Sequence, residues 1–178
     1  MNHSFCKNPQ ERRKKLVFLI FHRKNLLYDI ENIAYVQGDV MKTNDEHDRH
    51  QVIDIGQDGN VDRVTRILNL AYQECVDFLY AYTKADVFKA SSLDNTFGAP
   101  EHYKMRLLVP PDFSKGTVAL LKNLIHEYMT CRVIEDWMSI TNPQAQPIWK
   151  NKLEEIEEAI ISCMNARGGR IRRTQTPF

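Results

Sequence analysis

Apolar residues recur at intervals of three and four along much of the chain, the spacing that places them on one face of an α-helix. This pattern predicts long amphipathic helices near residues 61–82, 114–140 and 148–167, and a shorter helix from Leu26 to Gly38. The stripe of the second helix continues through Trp137, which we expect to be buried, to Ile140. The stripe of the third helix consists of Trp149, Leu153, Ile156, Ile160 and Cys163, and Gly168-Gly169 is expected to stop this helix. Ser114 is the expected cap of the second helix, and Asp58 or Asn60 is the expected cap of the first. Amphipathic helices must bury their apolar faces against one another. We therefore predict a mainly α fold, a bundle of about four helices with one or two short β-strands on its side.

The strand candidates are two short segments near either end of this pattern. Residues 16–21 are continuously apolar, which is too short a run to decide between a strand and the opening of a helix. Residues 103–109 alternate partly between apolar and polar, and Pro110-Pro111 ends them, which favours one short strand. Residues 42–60 and 84–101 are polar and are predicted to be loops, although apolar positions near Val52 indicate a short ordered piece in the first.

Length and charge divide the chain into a body and two basic ends. The 178 residues, 43% of them hydrophobic, are typical of one globular domain, which we place at residues 16–167. The net charge is only +1, but residues 1–24 contain seven basic and one acidic residue, and residues 25–60 contain two basic and eight acidic residues. We predict a flexible basic arm over residues 1–15 and a basic tail over residues 168–178.

The residues that carry chemistry form no catalytic motif. His126-Glu127 begins a zinc-protease HExxH pattern, but Thr130 stands where its second histidine belongs. The cysteines show no CxxC spacing, and three of them, Cys75, Cys131 and Cys163, fall on apolar helix stripes, so we predict buried thiols. Glycine-rich phosphate loops and a nucleophile elbow are absent. We predict a protein that is not an enzyme and has no cofactor.

The weak candidates for metal ligands are His47 and His50, which stand three residues apart beside the carboxylates of Asp45 and Asp48. On a helix both imidazoles would share a face. A metal site also needs ligands that are held rigidly by surrounding groups, and this polar segment carries no strong fold signal. We therefore predict that this segment is a solvated polar loop and that it holds no specific metal site.

A basic tail and an acidic segment are the two features that indicate binding. The tail guanidinium groups suit a carboxylate-rich protein surface as well as nucleic-acid phosphate, and a solvated tail without a role is the third alternative. The candidate partner-binding residues of the tail are Arg167, Arg170, Arg172, Arg173 and Phe178. The candidate acidic surface, on the same chain or on a neighbouring subunit, consists of Asp29, Glu31, Asp39, Asp45 and Asp48.

Three stretches of the sequence carry a resemblance to a known group of proteins. They are residues 24–30 with 38–41, the set His126-Glu127-Tyr128, Arg132-Val133, Asp136-Trp137, Ser139-Ile140-Thr141 and Pro143, and the ending from Asn165 to Phe178. Together these stretches resemble an uncharacterised helical protein family of bacterial prophages, similar to phage head–tail connector (adaptor) proteins, over about residues 16–178. The resemblance implies a small helical protein that forms a ring beneath a phage portal and has no catalytic site.

We therefore predict a non-enzymatic structural or assembly protein of a phage or prophage particle. Its partners would be copies of itself and other phage structural proteins. The alternatives are a nucleic-acid-associated regulatory protein that uses its basic arms and, less favoured, a metal-binding protein that uses His47 and His50. No apolar run approaches the length of a membrane span, so we expect a cytoplasmic protein without membrane contact that assembles into a virion if the phage interpretation holds.

Overall fold

Two antiparallel strands and six α-helices make up the part of the chain that the computed structural model describes, which is residues 14–41, 46–87, 95–111 and 113–165. The mainly helical fold with short strands is confirmed, with six helices where about four were expected. The elements in chain order are β1 (Lys15–His22), α1 (Arg23–Val40), α2 (Glu46–Ile53), one 3₁₀ turn (Asp54–Gly56), α3 (Asp58–Phe78), α4 (Tyr80–Val87), β2 (His102–Val109), α5 (Lys115–Thr141) and α6 (Gln146–Asn165).

The two strands come from distant parts of the chain and pair with each other in antiparallel register. Residues 16–21, which the sequence left open between strand and helix, lie within β1. Leu19 pairs with Met105 and Phe21 with Tyr103, and all four side chains are buried. Because side chains alternate across a strand, the residues between them on β1 point to the opposite face of the sheet.

Helix α5 is the centre of the bundle, with α1, α2, α3 and α6 packed around it. Its middle section is buried on almost every side, from Tyr128 through Met138. Trp137 is buried as predicted, with 8% of its surface exposed. Ile140 was assigned to the same apolar stripe, and that assignment was wrong because Ile140 is 55% exposed at the end of the helix.

Helix α6 follows the predicted pattern closely. Its stripe packs on α5, and every residue predicted for it is buried: Trp149, Leu153, Ile156, Ile160 and Cys163. Pro147 occupies the first turn, where a missing backbone N–H costs no hydrogen bond. The three cysteines predicted to be buried, Cys75, Cys131 and Cys163, are free thiols inside the core.

The described part of the predicted loop, residues 46–60, is ordered secondary structure, so the loop prediction is wrong there and the short ordered piece expected near Val52 is confirmed. These residues contain α2 and the 3₁₀ turn, and α3 already begins at Asp58. Val52 and Ile55 are the buried residues of α2 and the turn, each with 1% of its surface exposed. The apolar pattern of this segment is too sparse to predict a helix, and contacts with α1 and α5 hold it in place.

The single helix predicted over residues 61–82 is interrupted at Leu79, and helical structure continues as α4 into the region predicted as a loop. The side chain of Thr83, which is fully buried, explains why the break is tolerated. Its hydroxyl, which has a single proton, donates to the Val76 carbonyl at 2.9 Å and lies 3.2 Å from the Leu79 carbonyl, which already accepts from the backbone N–H of Tyr82. The Val76 carbonyl beside the interruption therefore has a hydrogen-bond donor.

The helix starts agree only partly with the expected capping residues. Ser114 caps α5 as predicted, since its hydroxyl accepts a hydrogen bond of 3.0 Å from the Thr117 N–H. Asp58 and Asn60 were both wrong as caps of α3, because Gln57 holds the capping position and its side chain makes no capping bond. The Asn60 amide instead donates to the Asp54 carbonyl at 2.8 Å, which ties the 3₁₀ turn to α3.

Candidate protein-interaction surface

One side of α1 is an exposed apolar and acidic surface, which we call the α1 face. The opposite side of the helix is packed into the core through Leu26, Ile30, Ala34 and Gly38. The residues of the α1 face recur at three and four positions, and the apolar ones are more than half exposed. They are Tyr28 (65%), Tyr35 (60%), Val36 (54%) and Val40 (62%), interleaved with Glu31, Asn32 and Asp39.

Three adjoining hollows follow α1 and share residues with the α1 face. The first has a volume of about 580 Å³ and lies between Tyr28, Glu31 and Glu101. The second, about 400 Å³, also contains Glu31 and is closed by the 3₁₀ turn. The third, about 250 Å³, lies between Tyr35 and Asp39 on α1 and the side chains of α2. Together they form a shallow groove along the helix.

Glu31 lines both the first and the second hollow, and its side chain lies close to Gly56. A Cβ atom placed on Gly56 would lie 2.8 Å from the Glu31 Cγ, which is closer than real side chains approach. The Glu31 side chain thus lies against the bare backbone of the 3₁₀ turn, and an alanine at position 56 would require that side chain to move. Glu31 itself is exposed.

Four of the five acidic residues predicted to form one surface are described, and the structure divides them between different places. Asp29 faces α5, where the His126 Nε2–H donates to its carboxylate at 2.7 Å. Asp39 lies at the end of the α1 face, 3.7 Å from the Arg49 guanidinium. Asp48 is half-buried on α2, and Asp45 lies outside the described residues. Glu31 and Asp39 are therefore the members of the predicted set that lie on the α1 face.

Helix α2 carries both histidines that were considered as weak metal ligands. Nε2 of His47 lies 2.9 Å from Nε2 of Gln51, and His50 borders the third hollow. In the described ranges, no group of three or more His, Cys, Asp or Glu side chains is arranged to hold a metal ion. Asp45 is outside those ranges, so the absence of a metal site stays a prediction.

The buried cysteines lie in surroundings that suppress thiolate chemistry. Burial raises the pKa of the Cys75 thiol well above its ordinary value, and the neighbouring Glu74 carboxylate raises that pKa further. Burial also raises the pKa of Cys131 to about 11. Since the thiolate is the reactive form of cysteine, neither residue is activated as a nucleophile. His126, for which the sequence leaves open a helix-surface or a partly buried position, is partly buried, with 28% of its side chain exposed.

A second surface, the outer face of the sheet, was missed by the sequence analysis. Leu16, Phe18 and Ile20 point away from the core and are 46%, 50% and 44% exposed. Lys104 and Arg106 lie on the same face, because they pair across the sheet with Ile20 and Phe18. Since β1 is apolar at both its inward and outward positions, its sequence does not show which side is exposed.

The tail residues Arg167, Arg170, Arg172, Arg173 and Phe178, and the stop expected at Gly168-Gly169, lie outside the described residues, so they stay predictions. No helix in the described part of the chain is both long enough and apolar enough to cross a membrane. Comparison with known proteins leaves the family open, because no protein-family model, no curated protein and no solved structure matches the chain.

Proposed function

We propose that this chain is a non-enzymatic assembly protein that binds another protein through the α1 face. The observation that carries the proposal is the row of Tyr28, Tyr35, Val36 and Val40, all more than half exposed along one helix. Monomeric proteins rarely expose connected apolar surface without a use for it. Tyrosine is also enriched at the energetic centres of protein interfaces, where its ring is buried and its hydroxyl finds a partner.

The α1 face is held rigidly from several sides, which favours binding. The Arg23 guanidinium donates to the Thr65 hydroxyl at 3.3 Å, and this contact fixes the beginning of the helix. At its end, Arg49 donates to the carbonyls of Gly38, at 3.2 Å, and Asp39, at 2.7 Å. A surface that is already ordered loses little conformational entropy when a partner binds.

The proposed partners are further copies of this chain and other structural proteins of a phage particle. The resemblance to prophage adaptor proteins supports this choice, and so does a binding surface that mixes apolar groups with carboxylates. Carboxylates repel the phosphates of nucleic acid, so the α1 face favours a protein partner. In this proposal the chain is made in the cytoplasm and is incorporated into the virion.

Mass measurement by light scattering on a purified variant tests the proposal. Val36→Lys combined with Val40→Lys places two charges on the α1 face without removing any described contact. We expect the wild-type protein to self-associate and this variant to associate about tenfold or more weakly, as is typical when central interface residues are lost.

A matched control is Ile148→Lys with Ile161→Lys, which alters two exposed apolar residues of α6 in the same way. The control should associate like the wild type, and circular dichroism should show equal helix content in all three proteins. A monomeric wild-type protein would contradict the proposal, and so would equal association of the α1 variant and the wild type.

A further inference from the structure

Two histidines stand opposite each other at the end of the sheet, where β1 meets helix α1. His22 is the last residue of β1, and the register pairs it with His102, the first residue of β2. Directly paired residues project from the same face of an antiparallel sheet, so both imidazoles lie on its outer face. Both residues are exposed, and the centres of their rings are 6.3 Å apart. The fold thus brings together two imidazoles from distant parts of the sequence.

The backbone hydrogen bonds place this pair at a position where side chains are close. In an antiparallel ladder, hydrogen-bonded pairs alternate with pairs that are not hydrogen-bonded. The N–H of Arg23, which follows His22, donates to the carbonyl of Glu101, which precedes His102, at 3.0 Å. A bond in this position flanks a pair that is not itself hydrogen-bonded, and the Cα atoms of such a pair are only about 4.5 Å apart. The ladder therefore fixes the backbone of both histidines at short range.

The two imidazoles are available for a ligand. Neither ring makes a hydrogen bond or an ion pair with another described residue. His47 on α2 differs, because its Nε2 lies 2.9 Å from Nε2 of Gln51. The neighbouring cation on the sheet, Lys104, is directed away from the pair, since its Nζ lies 4.9 Å from the centre of the Phe18 ring, further along β1. A charge that would repel a metal ion is therefore turned from the site.

The geometry of the pair suits a metal ion that prefers nitrogen ligands. Neutral imidazole is a common ligand of zinc, copper and nickel. Zinc–nitrogen bonds are about 2.0–2.1 Å long, so a tetrahedral zinc ion bound to both rings would hold the ring centres about 5 Å apart. Both rings are exposed, so rotation of their side-chain torsions brings them from 6.3 Å to that separation.

We infer that His22 and His102 together bind one divalent transition-metal ion of the zinc and copper type. The remaining coordination positions are open to water, so the site is weaker than a closed one with four protein ligands. A bound ion connects β1 to β2. A two-stranded sheet is marginally stable by itself, and a ligand that binds only the folded state adds to stability. The inference goes beyond the proposed function and does not depend on the α1 face.

Zinc titration of the full-length protein tests the site. We expect isothermal titration to show one zinc ion per chain, bound at micromolar concentrations, and no binding of magnesium, which prefers oxygen ligands. His22→Gln and His102→Gln should each weaken zinc binding by about tenfold or more, because loss of an outer-shell partner alone typically costs about 10–100-fold. The variant with both changes should bind no more weakly than either single variant, since chelation fails when one imidazole is lost.

The matched control is His47→Gln with His50→Gln, which removes two exposed histidines of α2 and should leave zinc binding unchanged. Circular dichroism should show equal helix content in all variants. Zinc should raise the Tm of the wild type and of the control, but not that of the variant lacking His22 and His102. Electron paramagnetic resonance of bound copper adds a direct readout, with hyperfine splitting from two nitrogens in the wild type.

Each of the other outcomes overturns the inference. Absence of zinc binding at micromolar concentrations does so, and so does binding that persists when both His22 and His102 are replaced. Additive losses in the two single variants would show that each imidazole binds separately. Loss of binding in the control would assign the ion to α2 instead. Self-association is measured separately, so none of these outcomes decides the proposed function.

Discussion

The indole of Trp137, on the central helix α5, donates a hydrogen bond of 3.0 Å to the backbone carbonyl of Val52, on the short helix α2. Both groups are buried, and 85 positions of the sequence separate them. The bond satisfies a carbonyl near the end of α2. The bond adds to the contacts with α1 and α5 that hold this helix, which has little apolar pattern of its own.

Replacement of Trp137 tests this attachment. We expect Trp137→Ala to lower the free energy of unfolding by about 3–5 kcal/mol, because a large buried ring is lost. Trp137→Phe keeps most of the ring but leaves the Val52 carbonyl without its donor, which should cost about 1–3 kcal/mol. Denaturant unfolding measures both values.

The control for the lost hydrogen bond is Trp149→Phe, at a tryptophan with the same exposed fraction, 8%. Among the described residues, the indole N–H of Trp149 makes no hydrogen bond. Trp149→Phe should therefore lower the free energy of unfolding by less than Trp137→Phe does. Unchanged stability of Trp137→Ala would show that the register assigned to α5 is wrong.

Two helical glycines should respond in opposite directions to alanine. A Cβ on Gly38 would lie 2.6 Å from the Ile53 Cγ1 and 3.1 Å from the Arg49 carbonyl oxygen, so Gly38→Ala forces α1 and α2 apart. We expect it to lower stability by about 1–3 kcal/mol despite the better helix propensity of alanine.

Gly59, in the first turn of α3, has no atom within 4 Å of such a Cβ. Gly59→Ala should therefore raise stability by roughly 0.5–1 kcal/mol, because alanine restricts the unfolded chain. Thermal unfolding distinguishes the two variants. Equal effects of the two substitutions would contradict the close packing of α1 on α2.

Stability should fall at alkaline pH because of buried groups that resist ionisation. Burial raises the pKa of Cys131 to about 11 from an ordinary value of 9.0, and it raises the pKa of Tyr103 to about 12 from 10.0. The folded state holds these protons more tightly than the unfolded state. The stabilisation is therefore complete below about pH 9 and is lost as the pH rises through 11 and 12.

The variant Cys131→Ala removes one of these groups. Its stability should decline less steeply between pH 9 and 11 than that of the wild type, as measured by urea unfolding at a series of pH values. Some decline remains, because Tyr103 still acts in the same direction. Parallel curves for the two proteins would show that the Cys131 thiol ionises equally in both states.

Metal addition should have no specific effect at His47 and His50. We expect isothermal titration with zinc or manganese to show no stoichiometric binding in the submicromolar range, because His47 and His50 are exposed on the surface of α2. Tight binding that is lost in a variant with His47→Ala and His50→Ala would reverse this prediction. It would also strengthen the alternative of a metal-binding protein.

Deletion of residues 169–178 should leave the helix content unchanged, because the buried stripe of α6 ends at Cys163 and Met164. The deletion removes three guanidinium groups, so binding to a glutamate-rich peptide probe should weaken. Fluorescence anisotropy measures this binding, and duplex DNA serves as the second probe. DNA binding that falls steeply with salt and is lost on deletion would favour the nucleic-acid alternative.

The helices with dense apolar stripes could be predicted from sequence, and α6 agrees with its pattern residue by residue. Helix α2 could not be predicted, because its stability comes from tertiary contacts such as the one between Trp137 and Val52 rather than from its own pattern. The break at Leu79 is equally hidden, because the apolar pattern continues through it to Tyr82 and does not show that the Thr83 hydroxyl bonds to the Val76 carbonyl.

The candidate surfaces were harder to predict than the core for a related reason. Apolar residues occur all around α1 and on both sides of β1, so sequence alone does not show which of them is buried. The sequence shows the acidic residues, but it does not show that folding places Asp29 and Asp48 away from Glu31 and Asp39. The bond between Asp29 and His126, from positions 97 residues apart, exists only in the folded chain.

The junction between β1 and α1 has a consequence for the geometry of any assembly. His22 ends the strand and Arg23 begins the helix, with no loop between them, and the Arg23 N–H is bonded to the Glu101 carbonyl at 3.0 Å. The outer face of the sheet and the α1 face thus share one continuous segment, residues 16–40. Because no loop separates the strand from the helix, the angle between these two faces is set within the chain itself, so partners bound to both faces would be held in a fixed relative orientation.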